Sequence, residues 1–206
     1  MKKETTSPTF DFENEMKSKG YLNVCGLDEA GRGPLVGNVV AAAVIFPEGV
    51  DIEGINDSKK LSEAKREKLF EEITEKTIYG IGIASPKEID ELNILNATML
   101  AMHRAIENMS TKPDFALIDG NCSRGFDIPT MTVVKGDSKV KSIAAASILA
   151  KVTRDRQCIE LDKKYPEYGI AQHKGYPTKM HMDILREIGP SPEHRITFLK
   201  FLDNDK

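Results

Sequence analysis

The chain has 206 residues, 40% of them hydrophobic and 30% charged, with a net charge of −3. This composition excludes a wholly disordered chain, and the length suits one packed domain with at most a short appendage. The longest apolar run, Val39 to Phe46, has eight residues; a bilayer span needs about 20, so no transmembrane helix is expected.

Residues 1–18 are polar and lack periodicity, and they read as a tail with room for a short helix at its end. Its two leading lysines are not followed by an apolar stretch, so it is not a secretory signal. From Tyr21 onward strands and helices alternate. Leu22–Asp28 and Asn38–Phe46 are rich in Val, Ala and Ile and predict two strands. The turn between them carries Gly31, Gly33, Pro34 and Gly37. Ser62 is an N-cap for a charged helix to about Lys76, and Ile78–Ala84 predicts a third strand. Ser85-Pro86-Lys87-Glu88 reads as a capping box with proline at the first helical position. The following helix carries Ile89, Leu92, Leu95, Met99, Met102 and Ile106 at spacings of 3, 3, 4, 3 and 4, which predicts a core stripe. Phe115–Asp119 and Met131–Val134 predict the last two strands. A long helix from Ser142 to about Lys164 has a run of small residues that would let it lie close to a sheet. A final helix, Thr178–Glu187, is stopped by Gly189 and Pro190. The two opening strands are close enough to pair as neighbours, so the sheet is expected to be mixed.

Three widely spaced cysteines, Cys25, Cys122 and Cys158, contain no CxxC. The pattern argues against a disulfide scaffold or a zinc site and points to a reducing cytoplasm. Cys25 reads as a small core residue. Net charge hides a gradient. Residues 135–156 hold six Lys/Arg against two Asp. That local excess fits a phosphate-facing surface or a solvated helix face, and charge alone does not choose.

Acids stand where strands end. Asp28-Glu29 closes the first strand, Asp119 the fourth, and Asp137 follows the fifth, at separations of 91 and 18 residues from Asp28 to Asp119 and on to Asp137. In open α/β sheets ligand sites form beyond the strands' carboxyl ends. Clustered carboxylates repel unless a cation neutralises them, and an all-oxygen set suits Mg²⁺ rather than Zn²⁺. Two such ions about 4 Å apart support phosphodiester hydrolysis. Each acid taken singly is equally a turn or cap residue. Neighbouring strand residues point to opposite faces, so Asp28 and Glu29 reach one site only if the strand ends or bulges there. Gly31-Arg32-Gly33 would let backbone approach a ligand, and peptide groups can read a 2′-hydroxyl, though a tight turn explains the glycines as well.

Together these segments resemble the ribonuclease HII family. The resemblance is carried by Gly26-Leu27-Asp28-Glu29-Ala30-Gly31-Arg32-Gly33-Pro34, Asn56-Asp57-Ser58-Lys59-Lys60-Leu61, Leu117-Ile118-Asp119-Gly120, Lys135-Gly136-Asp137-Ser138, the run Ser142 to Arg156, His173-Lys174-Gly175-Tyr176-Pro177-Thr178 and Gly189-Pro190-Ser191-Pro192-Glu193-His194-Arg195. It spans about residues 20 to 200 and implies an α/β, RNase H-like fold. A five-stranded mixed sheet would be flanked by helices. The tail would be 1–18, the catalytic domain 19–165 and a C-terminal helical extension 166–206. The implied activity is metal-dependent endonucleolytic hydrolysis of the RNA strand of RNA/DNA hybrids. Single ribonucleotides embedded in duplex DNA would also be substrates, cut on their 5′ side to leave 3′-hydroxyl and 5′-phosphate ends.

By the same resemblance Asp28, Glu29, Asp119 and Asp137 match the catalytic acids that hold two Mg²⁺ or Mn²⁺ ions. Gly31, Arg32 and Gly33 match the turn that reads the 2′-hydroxyl, and Tyr176 the tyrosine that stacks on the sugar at the RNA–DNA junction. Lys59, Lys60, Ser138, Lys139 and Lys141 are expected phosphate contacts. Asp155 is expected to pair with Arg154 and Arg156. His173 reads as a surface loop residue or a proton-transfer aid, and His194 and Arg195 as packing residues. The expected partners are RNA/DNA hybrid and ribonucleotide-containing duplex DNA, with no membrane and a monomeric chain. A resolvase- or integrase-like nuclease of the same fold would instead cut all-DNA, and a binding module with structural acids would bind without divalent metal.

Overall fold

A computed structural model of the chain describes residues 7–202. The first six residues of the segment read as a tail and the last four of the C-terminal extension lie outside the described residues. Five strands form one sheet: β1 Val24–Ala30, β2 Val39–Ile45, β3 Ile78–Ala84, β4 Phe115–Asp119 and β5 Thr130–Val133, in the spatial order β3-β2-β1-β4-β5. β1 pairs antiparallel with β2, and β2 with β3. β1 pairs parallel with β4, and β4 with β5. The sheet is therefore mixed, as the spacing of the first two strands predicts.

β2 reads Val-Val-Ala-Ala-Ala-Val-Ile and is buried throughout, because helices cover both faces of the sheet. On one face Cys25, Leu27, Ala41 and Ala43 meet Met99 and Met102 of a helix over Ile94–Glu107. On the other, Ala42 and Val44 meet Ala144, Ala145, Ala146 and Ile148 of the long helix Lys141–Lys164. That helix can lie this close because Gly26 has no side chain: a Cβ there would stand 2.3 Å from the backbone of Ser142 and Ile143.

In chain order the helices are α1 Asp11–Ser18, α2 Glu63–Lys76, α3 Pro86–Leu92, α4 Ile94–Glu107, α5 Lys141–Lys164, α6 Ile170–His173 and α7 Lys179–Ile188. Ser62 and Thr178 cap α2 and α7, and Ser85 and Glu88 form the predicted capping box. The single helix predicted from Ile89 to Ile106 is two. Asn93, at φ 67°, breaks it and restarts it, its Oδ1 accepting from the Leu95 and Asn96 amides at 3.0 and 3.2 Å.

Within the segment read as a tail, α1 buries Met16 against Val24, Phe115 and Ile143. Val140 gives α5 no side-chain cap; buried Glu13 accepts from the Ser142 amide at 2.8 Å instead. Burial raises the Glu13 carboxyl pKa, against the pull of Ser142. At the other end, Leu35, Val36, Cys158, Tyr168, Ile170, Leu185 and Leu199 pack the C-terminal segments onto α5 and the turn after β1. Among the described residues no helix is long and apolar enough to cross a membrane.

Candidate active site

Parallel pairing delivers the acids to one rim. Leu27 pairs with Ile118, so Asp28 and Asp119 are the next residues on adjacent strands, at a spacing of about 4.8 Å. By alternation they share a face: Leu117 packs under α5 with Ile143, and Gly26 touches the start of α5. Asp137 arrives by the 3₁₀ turn Gly136–Ser138 after β5. The Gly136 amide donates to Asp119 Oδ1 at 2.7 Å, tying that turn to the end of β4.

The expected end or bulge at Asp28-Glu29 is absent. β1 runs on to Ala30 in unbroken register, with Asp28, Glu29 and Ala30 opposite Ala42, Ala41 and Val40. Glu29 nevertheless lines the same cleft as Asp28, its Oε1 meeting Arg32 at 3.3 Å.

Electrostatics mark the rim as a site. Burial pushes the Asp28 carboxyl well above the usual carboxylate range, and Glu29, Asp119 and Asp137 push it further. Burial also raises Glu29, partly offset by Arg32. Asp137 is raised by burial, then by Asp57 and Asp119. Burial alone would depress the Lys59 ammonium, but Asp137, Asp28, Asp57 and Asp119 outweigh it and raise its pKa. The donors are all carboxylate oxygens, with no His or Cys, which fits a hard divalent cation. Among the described residues no three His, Cys, Asp or Glu side chains stand close enough to hold one ion as they are. Mg²⁺ needs only one or two carboxylates when water and substrate phosphate complete its shell.

A cleft of about 350 Å³ opens beside Asp28 and Glu29, lined also by the Gly31–Pro34 turn and Tyr176. Tyr176 is 48% exposed, and a Cβ on Gly33 would stand 3.4 Å from its ring. Gly31 is a required glycine: its φ is +94°, and a Cβ would come within 2.8 Å of Arg154 Nε and 2.9 Å of the Asn38 carbonyl. Asp119 and Asp137 flank this cleft without lining it.

The other predicted contacts divide. Lys59 lines the cleft, and Lys60 lies 3.8 Å from Asp57. Ser138 donates to the Lys135 carbonyl at 2.9 Å and Lys139 to the Val134 carbonyl at 2.8 Å, both beside Asp137. Lys141 is no phosphate contact: it is buried, paired with Asp51 at 2.8 Å. The basic stretch is mostly spent internally. Lys151 pairs with Asp155 at 2.6 Å, Arg156 with Glu67 at 2.5 Å, and buried Arg154 donates to the Val36 carbonyl at 2.7 Å and contacts Cys158. Asp155 thus has an ion-pair role, but with Lys151 and, at 3.8 Å, Arg66 rather than with its chain neighbours. Adjacent helical residues diverge, whereas residues four apart meet. His173 is not on the surface. It is buried and stacks on His181 at 4.1 Å, because its ring nitrogens are taken by the Tyr168 carbonyl and the Gly175 amide.

Sequence reasoning passed over Ser58, Ser147, Lys151, Arg154 and Lys174, which all line the cleft. The signal was helical spacing: Ser147, Lys151 and Arg154 lie four and three apart on α5 and share one face.

Comparison with known proteins agrees with this geometry. A family profile described as Ribonuclease HII matches residues 25–201. A ribonuclease HII of Clostridioides difficile is 57% identical over 190 residues, 92% of this chain and 74% of that one. A ribonuclease HII of Vibrio vulnificus is 55% identical over 87% of both chains. The crystal structure of ribonuclease H2 from Pyrococcus horikoshii superposes with a TM-score of 0.73 at 29% identity, covering 89% of this chain and 98% of that chain. The chain belongs to the ribonuclease HII family and is a ribonuclease H, an enzyme that cleaves the RNA strand of RNA/DNA hybrids.

Proposed function

We propose that the enzyme cuts RNA/DNA hybrids and single ribonucleotides embedded in duplex DNA. It cuts 5′ of the ribonucleotide and leaves 3′-hydroxyl and 5′-phosphate ends. The observation that carries this reading is the juxtaposition at the sheet rim. Asp28 and Asp119 stand abreast, and the Gly31–Gly33 turn and Tyr176, neighbours of each other, line the adjoining cleft. Asp28, Glu29, Asp119 and Asp137 would hold divalent ions, Mg²⁺ or Mn²⁺. When bound, such ions supply a more acidic attacking water and charge stabilisation for the departing 3′ oxygen.

The protein's own groups bind and orient. The Gly31–Gly33 backbone meets the 2′-hydroxyl, which peptide donors and acceptors can read at close range. Arg32 and protonated Lys59 face the backbone phosphates, with Lys60, Ser138 and Lys139 further along the rim. The Tyr176 ring packs on the neighbouring sugar. No side chain is needed as nucleophile. The two serines in the cleft, Ser58 and Ser147, are hydrogen-bonded to each other at 2.8 Å.

Asp119→Asn is the direct test, because it keeps the side chain's shape and its bond from Gly136 while removing the charge. With a labelled RNA/DNA hybrid and Mg²⁺, cleavage should fall roughly a thousandfold, about 4 kcal/mol of transition-state stabilisation. Cleavage near the wild-type rate would remove Asp119 from the metal site.

A further inference from the structure

Arg195 is fully buried and among the largest side chains that are. A buried guanidinium usually faces a carboxylate. Here its five N–H groups meet five backbone carbonyls. Nε donates to Gly37 at 2.9 Å, Nη1 to Arg32 and Pro34 at 3.1 and 2.7 Å, and Nη2 to Gly31 and Asn38 at 2.7 and 3.0 Å. All five acceptors lie in residues 31–38, the turn that carries Gly31-Arg32-Gly33. Main-chain bonds add to the hold: the Arg195 amide donates to the Leu35 carbonyl and the Gly37 amide to the Glu193 carbonyl, each at 2.8 Å.

The preceding residue reaches the segment of Tyr176. His194 Nδ1 accepts from the Ser191 amide at 3.0 Å, so its hydrogen is on Nε2. That nitrogen is 3.0 Å from Nε2 of buried His181, which must then be the acceptor. The remaining hydrogen of His181 is on Nδ1, 3.0 Å from the Tyr176 carbonyl. A backbone donor at Ser191 and a backbone acceptor at Tyr176 therefore fix both tautomers, and the chain of bonds ends on the main chain of Tyr176. The two segments also touch directly, the Leu35 amide donating to the Gly175 carbonyl at 2.8 Å.

We infer that Ser191–Arg195 is the positioning clamp of the ribonucleotide-reading cleft, Arg195 holding the 31–38 turn and His194, through His181, holding Tyr176. The inference deepens the proposed function and rests on its placing the 2′-hydroxyl at that turn and the neighbouring sugar on Tyr176. Burial, then His181, holds His194 down at about 4, so it is neutral at pH 7 as the hydrogen-bond chain requires. Burial, then Arg154, lowers Arg195 to about 9, still cationic at neutral pH. Neither residue touches substrate in this reading; both act through the backbone they hold.

Two variants test it. Arg195→Lys keeps the charge but offers one nitrogen where three were used. His181→Phe keeps a ring against His173 and cuts the link to Tyr176. For each, KM and kcat are measured with Mg²⁺ on a duplex carrying one ribonucleotide, and amide exchange is followed in the metal-free protein. A merely structural defect reduces the active fraction, lowering kcat at unchanged KM. The clamp predicts that KM rises on the order of tenfold. It also predicts faster exchange in residues 31–38 for Arg195→Lys and in 173–178 for His181→Phe, with β3 unchanged. If Arg195→Lys does not fold, His181→Phe decides alone. Tyr176→Ala separates the two claims. An unchanged KM there overturns the sugar contact itself. A raised KM there, with wild-type KM and exchange in the folded clamp variants, overturns the clamp.

Discussion

Gly31 shows how one residue couples backbone geometry to recognition. Its positive φ and the crowding by Arg154 and Asn38 leave no room for a side chain. Gly31→Ala should destabilise the fold by about 1–3 kcal/mol. It should also weaken cleavage of a single embedded ribonucleotide more than the loss of folded enzyme accounts for, as denaturant unfolding and kinetics on one preparation would show. The acids were legible because each stands near or just past the end of a strand, close to a glycine. The course of Glu29 was not, because strand alternation asks for an end or bulge before Asp28 and Glu29 can share a site, whereas both line one cleft with the pairing to β2 unbroken. His173 misled for a different reason: loop histidines look exposed until packing against His181 is known.

At the scale of elements, the sheet was readable from alternation, punctuation and caps. β3 and β4 match their predicted bounds, and the small residues of α5 do lie against the sheet. The break at Asn93 escaped because the hydrophobic stripe runs through it, and periodicity does not register one residue at positive φ. The partners of the basic stretch escaped too. Asp51, Glu67 and Val36 are distant in sequence and meet α5 only in the fold. Gly26 gives the sharpest prediction here. Gly26→Ala would drive a methyl into the backbone of Ser142 and Ile143, and rigid main chain cannot yield as a side-chain tip can. A loss of about 3 kcal/mol or more is expected, read from the urea midpoint. A variant as stable as the wild type would mean that α5 is not seated on β1 in this way.

For the molecule as a whole, buried histidines link stability to pH. His194 is held down to about 4, and burial also lowers His181. Unfolding frees His194 to its ordinary value near 6.5, so between these values the unfolded chain binds more protons. Its contribution is thus complete above pH 6.5 and lost as pH falls toward 4. Comparing pH 7 with pH 5, the wild type should lose about 2 kcal/mol that a folded His194→Phe variant does not lose. Parallel pH profiles in urea unfolding would contradict this.

The same fold concentrates repelling carboxylates at one rim and sets a reading cleft beside them, and that pairing is the central claim. It is tested by three duplexes in parallel: DNA with one embedded ribonucleotide, an RNA/DNA hybrid, and all-DNA, each with Mg²⁺, Mn²⁺ or chelator. The account predicts metal-dependent cutting on the 5′ side of the lone ribonucleotide, cutting of the hybrid, an intact all-DNA duplex, and no cutting with chelator. Cutting of all-DNA, or cutting that survives the chelator, would contradict it.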